Sequence, residues 1–372
     1  MAVSGAGPPA TRRAQPGGGQ PVNSSPDAPL VSVVVPNYNY AETLGPCLQA
    51  VQAQTYPRLE VIVADDCSTD RSVSIARAAG ARVVSTRENS GQAVTRNLGA
   101  AHARGEFLFF VDSDLILDPE AVANAVSLLR SDPTIGAVCG VNDPEPLIPD
   151  RKIKEYRALQ YHYWSLPDGD VPVLFSAMFA IRAATFAELG PFDPRLRWSE
   201  EFEYGHRITR RYRIFITTAV RGRHDPDATL GGMLRKLFHR GRVRVPLYAQ
   251  VRQFASGFET GPRAMASVVA LLGVVALALP AALGAVWLVV PAALLAGSVV
   301  ADLGMYRFVA ARRGVWFLGY YTAMHFLVNI TIAAAVATGA GQWLVSRRFR
   351  RLYDDCPKPA PHPTNSSRLQ EA

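Results

Sequence analysis

The residues that could do chemistry are carboxylates at the ends of apolar runs. Phe107-Leu-Phe-Phe-Val-Asp112-Ser113-Asp114 leads an unbroken apolar stretch into two carboxylates one residue apart. Asp65-Asp66 closes a second run, Leu59–Ala64, and Asn37 and Asn39 follow a third, Val31–Val35, just past Pro36. Paired carboxylates are costly unless something cationic neutralises them, and a divalent ion bridging a diphosphate would do so. Hard oxygen donors of this kind suit Mg2+ or Mn2+. The same pattern would also arise from a plain strand end followed by a helix N-cap, with Asp118 and Pro119 opening that helix.

These residues need elements that bring them together. An apolar run opened by Gly105 with no polar alternation reads as a strand buried on both faces. Further strands are expected at Val31–Val35, Leu59–Ala64, Arg82–Ser85 and Ile135–Val141. Helices are expected at Glu42–Gln54, from a cap among Ser68, Thr69 and Asp70 through Ala79, at Gln92–Arg104 after the Glu88–Gly91 turn, and at Pro119–Arg130. This alternation predicts an α/β fold with a mostly parallel sheet and helices on both faces. Parallel strands end on one rim, where ligands bind, so the polar groups should converge there. No Gly-x-Gly-x-x-Gly follows the first strand and no Gly-Lys-Ser/Thr occurs, which argues against a dinucleotide dehydrogenase or a P-loop enzyme. Carboxylates in place of glycines call for a metal to hold phosphates.

Composition sets the surroundings. The 372 residues carry a net charge of +8, which allows nucleic acid, anionic lipid or phosphorylated partners. No nucleic-acid-binding motif is present. The four cysteines have no zinc-like or disulfide-like spacing, which fits a reducing compartment. Residues 1–29 are rich in Gly, Pro, Ala and Ser and read as a disordered tail without the apolar core of a signal peptide. No charged side chain lies between Arg263 and Asp302, or from Val315 to Ser346. Runs longer than about 18 residues are transmembrane candidates. The first run, with Pro280 and Gly284 near its middle, reads as a helical hairpin.

Just before it, Leu230, Met233, Leu234, Leu237 and Phe238 recur among Arg235, Lys236, Arg240, Arg242 and Arg244. This predicts an amphipathic helix on anionic headgroups. The positive-inside rule places this stretch in the cytoplasm, but a single crossing by the run from Val315 would then put Arg347, Arg348, Arg350 and Arg351 outside. Either that run re-enters or lies in the interface, or the rule fails. The predicted organisation is a tail over 1–29, a catalytic α/β domain over 30–227, a basic juxtamembrane segment over 228–262, transmembrane helices over 263–345 and a basic, disordered tail over 346–372.

The ordered set Pro36-Asn-Tyr-Asn, Ala64-Asp65-Asp66-Cys-Ser-Thr-Asp70, Asn89-Ser-Gly91, Arg96-Asn97-Leu-Gly and Val111-Asp112-Ser-Asp114 resembles the family 2 glycosyltransferases of GT-A fold. Phe179-Ala-Ile-Arg, Gly190-Pro-Phe-Asp193 and Trp198-Ser-Glu200-Glu201 extend the resemblance, which covers roughly Pro29 to Pro246. It implies that Asp66 holds the donor's nucleotide, with Pro36, Asn37, Asn39, Asp65, Gly91 and Ser113 around it. A carboxylate can accept from a base N–H or a ribose hydroxyl, though Asp65 would serve equally as a turn residue. Arg96 and Asn97, on the helix after Gly91, would hold diphosphate oxygens, or Arg96 would be a surface ion-pair residue. Asp114 is the expected metal ligand, with Asp112 on ribose or metal-bound water and His224 a further ligand of the kind GT-A enzymes can use.

The resemblance also implies inversion by single displacement, which needs one general base. Glu201 stands where the family usually has Asp, with Glu200 as the alternative. An acidic first helical turn would explain both equally well. The implied function is transfer from a nucleotide-sugar to a membrane-associated acceptor, lipid-linked or part of a cell-envelope glycan. A polyprenyl-phosphate sugar synthase or a catalytically silent membrane-anchored interaction protein are the alternatives. The loop at Val171–Ser176 would set sugar choice, and the Tyr161-His-Tyr-Trp164 cluster reads as core. The basic stretch before the apolar runs resembles the pre-membrane segment of membrane-bound family 2 enzymes, which can border the acceptor site.

Overall fold

The computed structural model describes residues 28–166, 168–251 and 261–354. The expected N-terminal tail up to residue 27 lies outside them, as do residues 252–260 of the juxtamembrane segment and, from residue 355, the C-terminal tail; that tail was expected from 346, but its first residues form a helix at Arg347–Arg350 and bury Tyr353.

The chain forms β1 (Val31–Asn37), α1 (Ala41–Gln52), β2 (Leu59–Asp65), α2 (Ser72–Ala78), β3 (Arg82–Ser85), α3 (Gln92–Ala101), β4 (Phe107–Val111), β5 (Leu115–Leu117), α4 (Ala121–Ser131) and β6 (Ile135–Asn142). Next come α5 (Lys152–Trp164), β7 (Gly169–Val171), β8 (Met178–Arg182), α6 (Ala183–Leu189), α7 (Glu200–Thr209) and β9 (Arg213–His224). The strands make one sheet in the order β3-β2-β1-β4-β8-β6-β9-β5, with β7 on β9. The half from β3 to β4 is parallel, as the alternating pattern predicts. β8 then inserts antiparallel between β4 and β6, so the sheet is mixed. No local pattern marks that insertion.

β1 and β4 are buried on both faces. Val31, Val33, Val35, Phe107, Phe109 and Val111 pack under α1, α2 and α4. Val34, Leu108 and Phe110 point the other way, under α3, α6 and α7, the alternation a strand must show. Phe110 stacks on Phe179 of β8 with ring centroids 4.7 Å apart. Helix α3 lies so close to β1 that a Cβ on Gly99 would come within 2.3 Å of Val34 Cγ1, so only glycine fits there.

The remaining helices are α8 (Leu230–Val251), α9 (Gly261–Ala276), α10 (Leu279–Leu283), a 3-10 turn at Ala285–Leu288, α11 (Val289–Val300), α12 (Leu303–Val345) and α13 (Arg347–Arg350). Gly284 (φ 102°) reverses the chain, and α11 returns along α9 as the expected hairpin. Arg263 and Asp302, at its two open ends, pair at 3.4 Å. Gly314 (φ 76°) breaks α12 just before the second uncharged run. By length and composition, Gly261–Leu283 and Leu303–Val345 could each cross a membrane. Val275, Val286, Val289, Val315 and Trp316 are exposed, an apolar outer surface of the kind lipid would cover.

α12 runs alongside α8. Just before its start Asp302 accepts from Trp164 Nε1 of α5 at 3.3 Å, and midway along it His325 Nδ1 is 3.1 Å from the Tyr156 hydroxyl of α5. Beyond its end Tyr353 donates to Val243 O of α8 at 2.9 Å and packs in a cluster with Val173, Leu196 and Phe202 of the α/β domain.

Candidate active site

A cavity of about 440 Å3 opens at the carboxyl ends of β1, β2 and β4. Asp66, Asp112, Ser113 and Asp114 line it together with Pro36 and Asn37, so the rim expected from the strand ends is formed. His224 and Glu201 face it from β9 and α7.

Each wall residue has a local cause. β5 pairs antiparallel with the end of β9, setting Leu115 opposite His224. The Asp225 N–H also donates to Asp114 O at 2.8 Å. These contacts hold His224 Nε2 3.4 Å from Asp114 Oδ1. Burial works against a charged imidazole, but Asp114 outweighs it and raises the His224 pKa. The charge of Asp114, with burial, pushes the pKa of the nearby Tyr40 phenol up. The Asn37 amide donates to Asp65 Oδ1 at 2.9 Å and Ser68 Oγ at 3.1 Å. Its own Oδ1 is buried without a partner, an acceptor ready for a ligand N–H.

Several expected site residues serve the framework instead. Asp65 does not line the cavity; Ser68 Oγ at 2.6 Å and Ser68 N at 2.9 Å donate to it, fastening the loop after β2. Asn39, in the left-handed region at φ 58°, accepts from Thr69 N at 2.8 Å and is turned outward. Asp66 lines the cavity but already accepts from Thr86 Oγ1, Ser90 N and Gly91 N, so it also shapes the turn that starts α3. The Gly91 N–H is spent on that bond. Asn97 is tied to the Phe192 backbone by two bonds of 2.8 and 2.9 Å.

Arg96 is the largest departure. It is fully buried and lies behind the cavity, bridging Asp112 Oδ1 (2.9 Å) and Glu200 Oε1 (2.8 Å). It is neither a surface residue nor free to hold a diphosphate, because two carboxylates already occupy its fork. Burial and neighbouring Asp114 push the Asp112 pKa up against the pull of Arg96.

The two glutamates are also separated. Glu200 is turned to Arg96 and away from the cavity, and burial with the charge of Glu201 pushes its pKa up to about 7. Glu201 faces the cavity. Burial opposes its ionisation, but Arg240 and Arg244 prevail and hold its pKa low. Its Oε1 pairs with Arg244 at 3.1 Å, and its Oε2 has no partner.

The expected three-residue metal set does not close. Among the described residues, no group of three His, Cys, Asp or Glu side chains could hold an ion. Arg96 draws one oxygen of Asp112 away, leaving Asp114 and His224 as the near pair. Mg2+ and Mn2+ commonly take one or two carboxylates and complete their shell with water and substrate phosphates. The residues present fit a cation shared with a diphosphate, not one caged by protein.

The basic helix supplies a further wall. Lys236, Arg240 and Arg244 of α8 line the cavity, with Asp227 and Tyr161 nearby. They were expected to face headgroups, in a stretch that the resemblance lets border the acceptor site. Their spacing of four was the available signal, since it puts all three on one helix face. Tyr161 belongs to this lining, whereas Trp164 is core as expected. Val173 to Ser176 also line the cavity.

Residues 32–190 match the family model described as glycosyl transferase family 2. An uncharacterized glycosyltransferase of Haemophilus influenzae is 27% identical over 187 residues, 47% of this chain and 60% of that protein. The putative teichuronic acid biosynthesis glycosyltransferase TuaG of Bacillus subtilis is 40% identical over 91 residues, 23% of this chain and 36% of that one. The chain thus spans less than two thirds of either relative. Among solved structures, the mannosyltransferase PcManGT of Pyrobaculum calidifontis, in complex with GDP-Man and Mn2+, superposes with a TM-score of 0.51 at 23% identity. That likeness covers 88% of this chain and 91% of PcManGT, and it is one of fold.

Proposed function

From the match of residues 32–190 to glycosyl transferase family 2, we propose an inverting transfer of a sugar from a nucleotide-sugar to a membrane-associated acceptor, lipid-linked or part of a cell-envelope glycan. The observation that carries this reading is the meeting of Asp66, Asp112, Asp114, His224 and Glu201 on one cavity, with α8 forming another of its walls. The unpartnered Asn37 Oδ1 would accept from the base, with Pro36 beside it. Asp114 and His224 would hold a divalent cation, as the Mn2+ in the structure of like fold suggests. Such an ion supplies charge stabilisation for the departing nucleoside diphosphate.

Glu201 is the carboxylate that faces the acceptor side. The acceptor oxygen attacks the anomeric carbon, the bond to the diphosphate breaks, and Glu201 takes the acceptor proton. Inversion follows from attack on the face opposite the leaving group. Arg96 fixes Asp112 and Glu200 behind the site, so the carboxylates of the two sides keep their spacing.

The same reading places the enzyme at a membrane with its catalytic domain on the cytoplasmic side. The α9–α11 hairpin crosses, while α12 lies in the interface beside α8, since Asp302 before its start meets Trp164 of α5 and Tyr353 beyond its end packs with Val173, Leu196 and Phe202. Arg347, Arg348, Arg350 and Arg351 then stay on the catalytic side, as the charge rule prefers.

The test is a panel of nucleotide-sugars offered to the membrane-embedded protein, with and without EDTA. One donor should be consumed in a cation-dependent way, and Asp114→Asn should lower turnover by about 10³-fold through loss of a metal ligand. Consumption of no donor, or full turnover in EDTA, would sink the reading.

A further inference from the structure

Ser199 opens α7 from the left-handed region, at φ 65°, and is fully buried. A residue with a side chain keeps that backbone only where its surroundings compel it. Its hydroxyl makes no capping bond to its own helix. It accepts instead from Arg244 Nε of α8 at 3.1 Å. The same guanidinium donates from Nη2 to Glu201 Oε1, also at 3.1 Å, and lies over the Phe202 ring, 3.7 Å from its centroid. One side chain of α8 therefore grips the entry of α7 at Ser199, Glu201 and Phe202. The grip holds one oxygen of Glu201 and leaves Oε2 without a partner, on a residue that lines the cavity. A carboxylate held by one oxygen presents the other in a fixed direction, as abstraction of a hydroxyl proton requires.

Arg244 is itself seated from outside the α/β domain. A Cβ on Gly339 of α12 would come within 2.6 Å of Arg242 O and 2.7 Å of Val245 Cγ2, so the two helices nearly touch at this turn. Past the end of α12, the Tyr353 hydroxyl donates to Val243 O at 2.9 Å, and its ring shares a buried cluster with Phe202 and Leu247. These contacts fall on residues 242, 243 and 245, on both sides of Arg244. The backbone that aims the guanidinium is thus set by α12 and the turn after it.

We propose that Arg244 is the positioning residue for Glu201, and that α12, by seating the turn of α8 around Arg244, controls whether the carboxylate is aimed for proton transfer. This inference rests on the glycosyl-transfer reading, in which Glu201 is the base, and adds how that base is held. The apolar C-terminal helices then do more than anchor the enzyme: their packing completes the reacting site.

The charged groups that bear on Glu201 are Arg240 and Arg244 of α8, Arg96 of α3 and the adjacent Glu200. Burial opposes its ionisation and the arginines favour it. Removing Arg244 takes away one of these supports, so Glu201 should take up its proton at higher pH.

The test uses the full-length protein in lipid nanodiscs and the donor selected by the nucleotide-sugar panel, with water as the acceptor probe. Arg244→Met should lower kcat at neutral pH by about tenfold or more, the loss of a charged hydrogen bond, and move the acidic limb of the kcat profile to higher pH. Nucleoside diphosphate affinity, read by titration, should change less than about twofold, within the usual scatter of a distant substitution. Arg244→Lys keeps the charge and loses the fork, so it should return the limb to its parent position and recover only part of kcat. In a Glu201→Gln background Arg244→Met should cost little more, because its target is gone.

Gly339→Ala, at a residue outside the cavity lining, should also lower kcat while nucleoside diphosphate affinity stays at the parent value. Tyr353→Phe removes a single hydrogen bond to the same turn and should act in the same direction, which serves the test where Gly339→Ala does not fold. Parent-like kcat in Arg244→Met, a loss equal at every pH, full additivity with Glu201→Gln, or parent-like kcat in both Gly339→Ala and Tyr353→Phe would each overturn the proposal. Failure to consume any nucleotide-sugar is the distinct failure of the underlying reading, and the proposal falls with it.

Discussion

The cavity's two sides are built by different means. On the strand side, Asp66, Asp112 and Asp114 sit at the ends of buried parallel strands, where the backbone ladder fixes their positions. On the helical side, Lys236, Arg240 and Arg244 project from α8, whose seat depends on Met233 and Leu237 packing against Tyr321, Met324 and Val328 of α12. The strand side needs only the α/β domain. The helical side depends on the packing of α8 against the apolar α12, so that wall needs the C-terminal helices in place. Arg96 links the strand side to α7, holding Asp112 with one nitrogen and Glu200 with the other.

Substitutions can break this contrast or sharpen it. The largest effect is expected at Glu201, the one glutamate of its pair that faces the cavity. Glu201→Gln should cut sugar transfer by about 10²–10⁴-fold, the usual share of a general base, while nucleoside diphosphate binding persists. Near-normal turnover would remove Glu201 from the reaction and return attention to Glu200.

Arg96→Met should act on the framework. It leaves Asp112 and Glu200 buried without their cation, and removing one member of such a group costs about 3–5 kcal/mol. A lower thermal unfolding midpoint, accompanied by weaker donor binding, is the expected outcome. An unchanged midpoint would mean that the carboxylates had other support.

Glu200 makes a smaller, pH-dependent contribution. Its pKa is raised from 4.5 to about 7, so between those values the folded state binds more protons than the unfolded one. Stability from this group therefore falls as pH rises from about 4.5 to 7 and levels off above that. Thermal melts of Glu200→Gln across this window should show a shallower decline than the parent protein, and an identical slope would count against the assignment.

The smallest effect is expected at Asn39, outside both walls. Asn39→Ala should cost about 1–2 kcal/mol, from its left-handed backbone, and leave donor affinity nearly unchanged. A large donor defect would restore Asn39 to the site.

Much of the strand side was legible beforehand. Apolar runs of strand length ending in Asp or Asn report strand ends, and parallel strands share a rim, so Asp112, Asp114 and Asp66 could be grouped without coordinates. The helical side was half legible. The basic and apolar residues of α8 were plain, but periodicity tells which residues share a face and not what that face meets. Arg96 was misplaced for a related reason: its partner Glu200 is 104 residues away, and nothing local announces such a pair.

By itself, the sequence determined the order of strands and helices from β1 to β4, the acidic strand tips, the glycine-marked turn of the hairpin and the length of each uncharged run. These depend on interactions between near neighbours in the chain, which local pattern encodes. The tertiary structure alone decided that β8 enters antiparallel beside β4, that Arg96 sinks between two carboxylates, that Glu201 and not Glu200 faces the cavity, and that the cations of α8 turn inward. Each of these outcomes rests on contacts between segments far apart in the chain, whose register and facing are set only when the cores on both faces of the sheet and the packing of α8 on α12 are satisfied together.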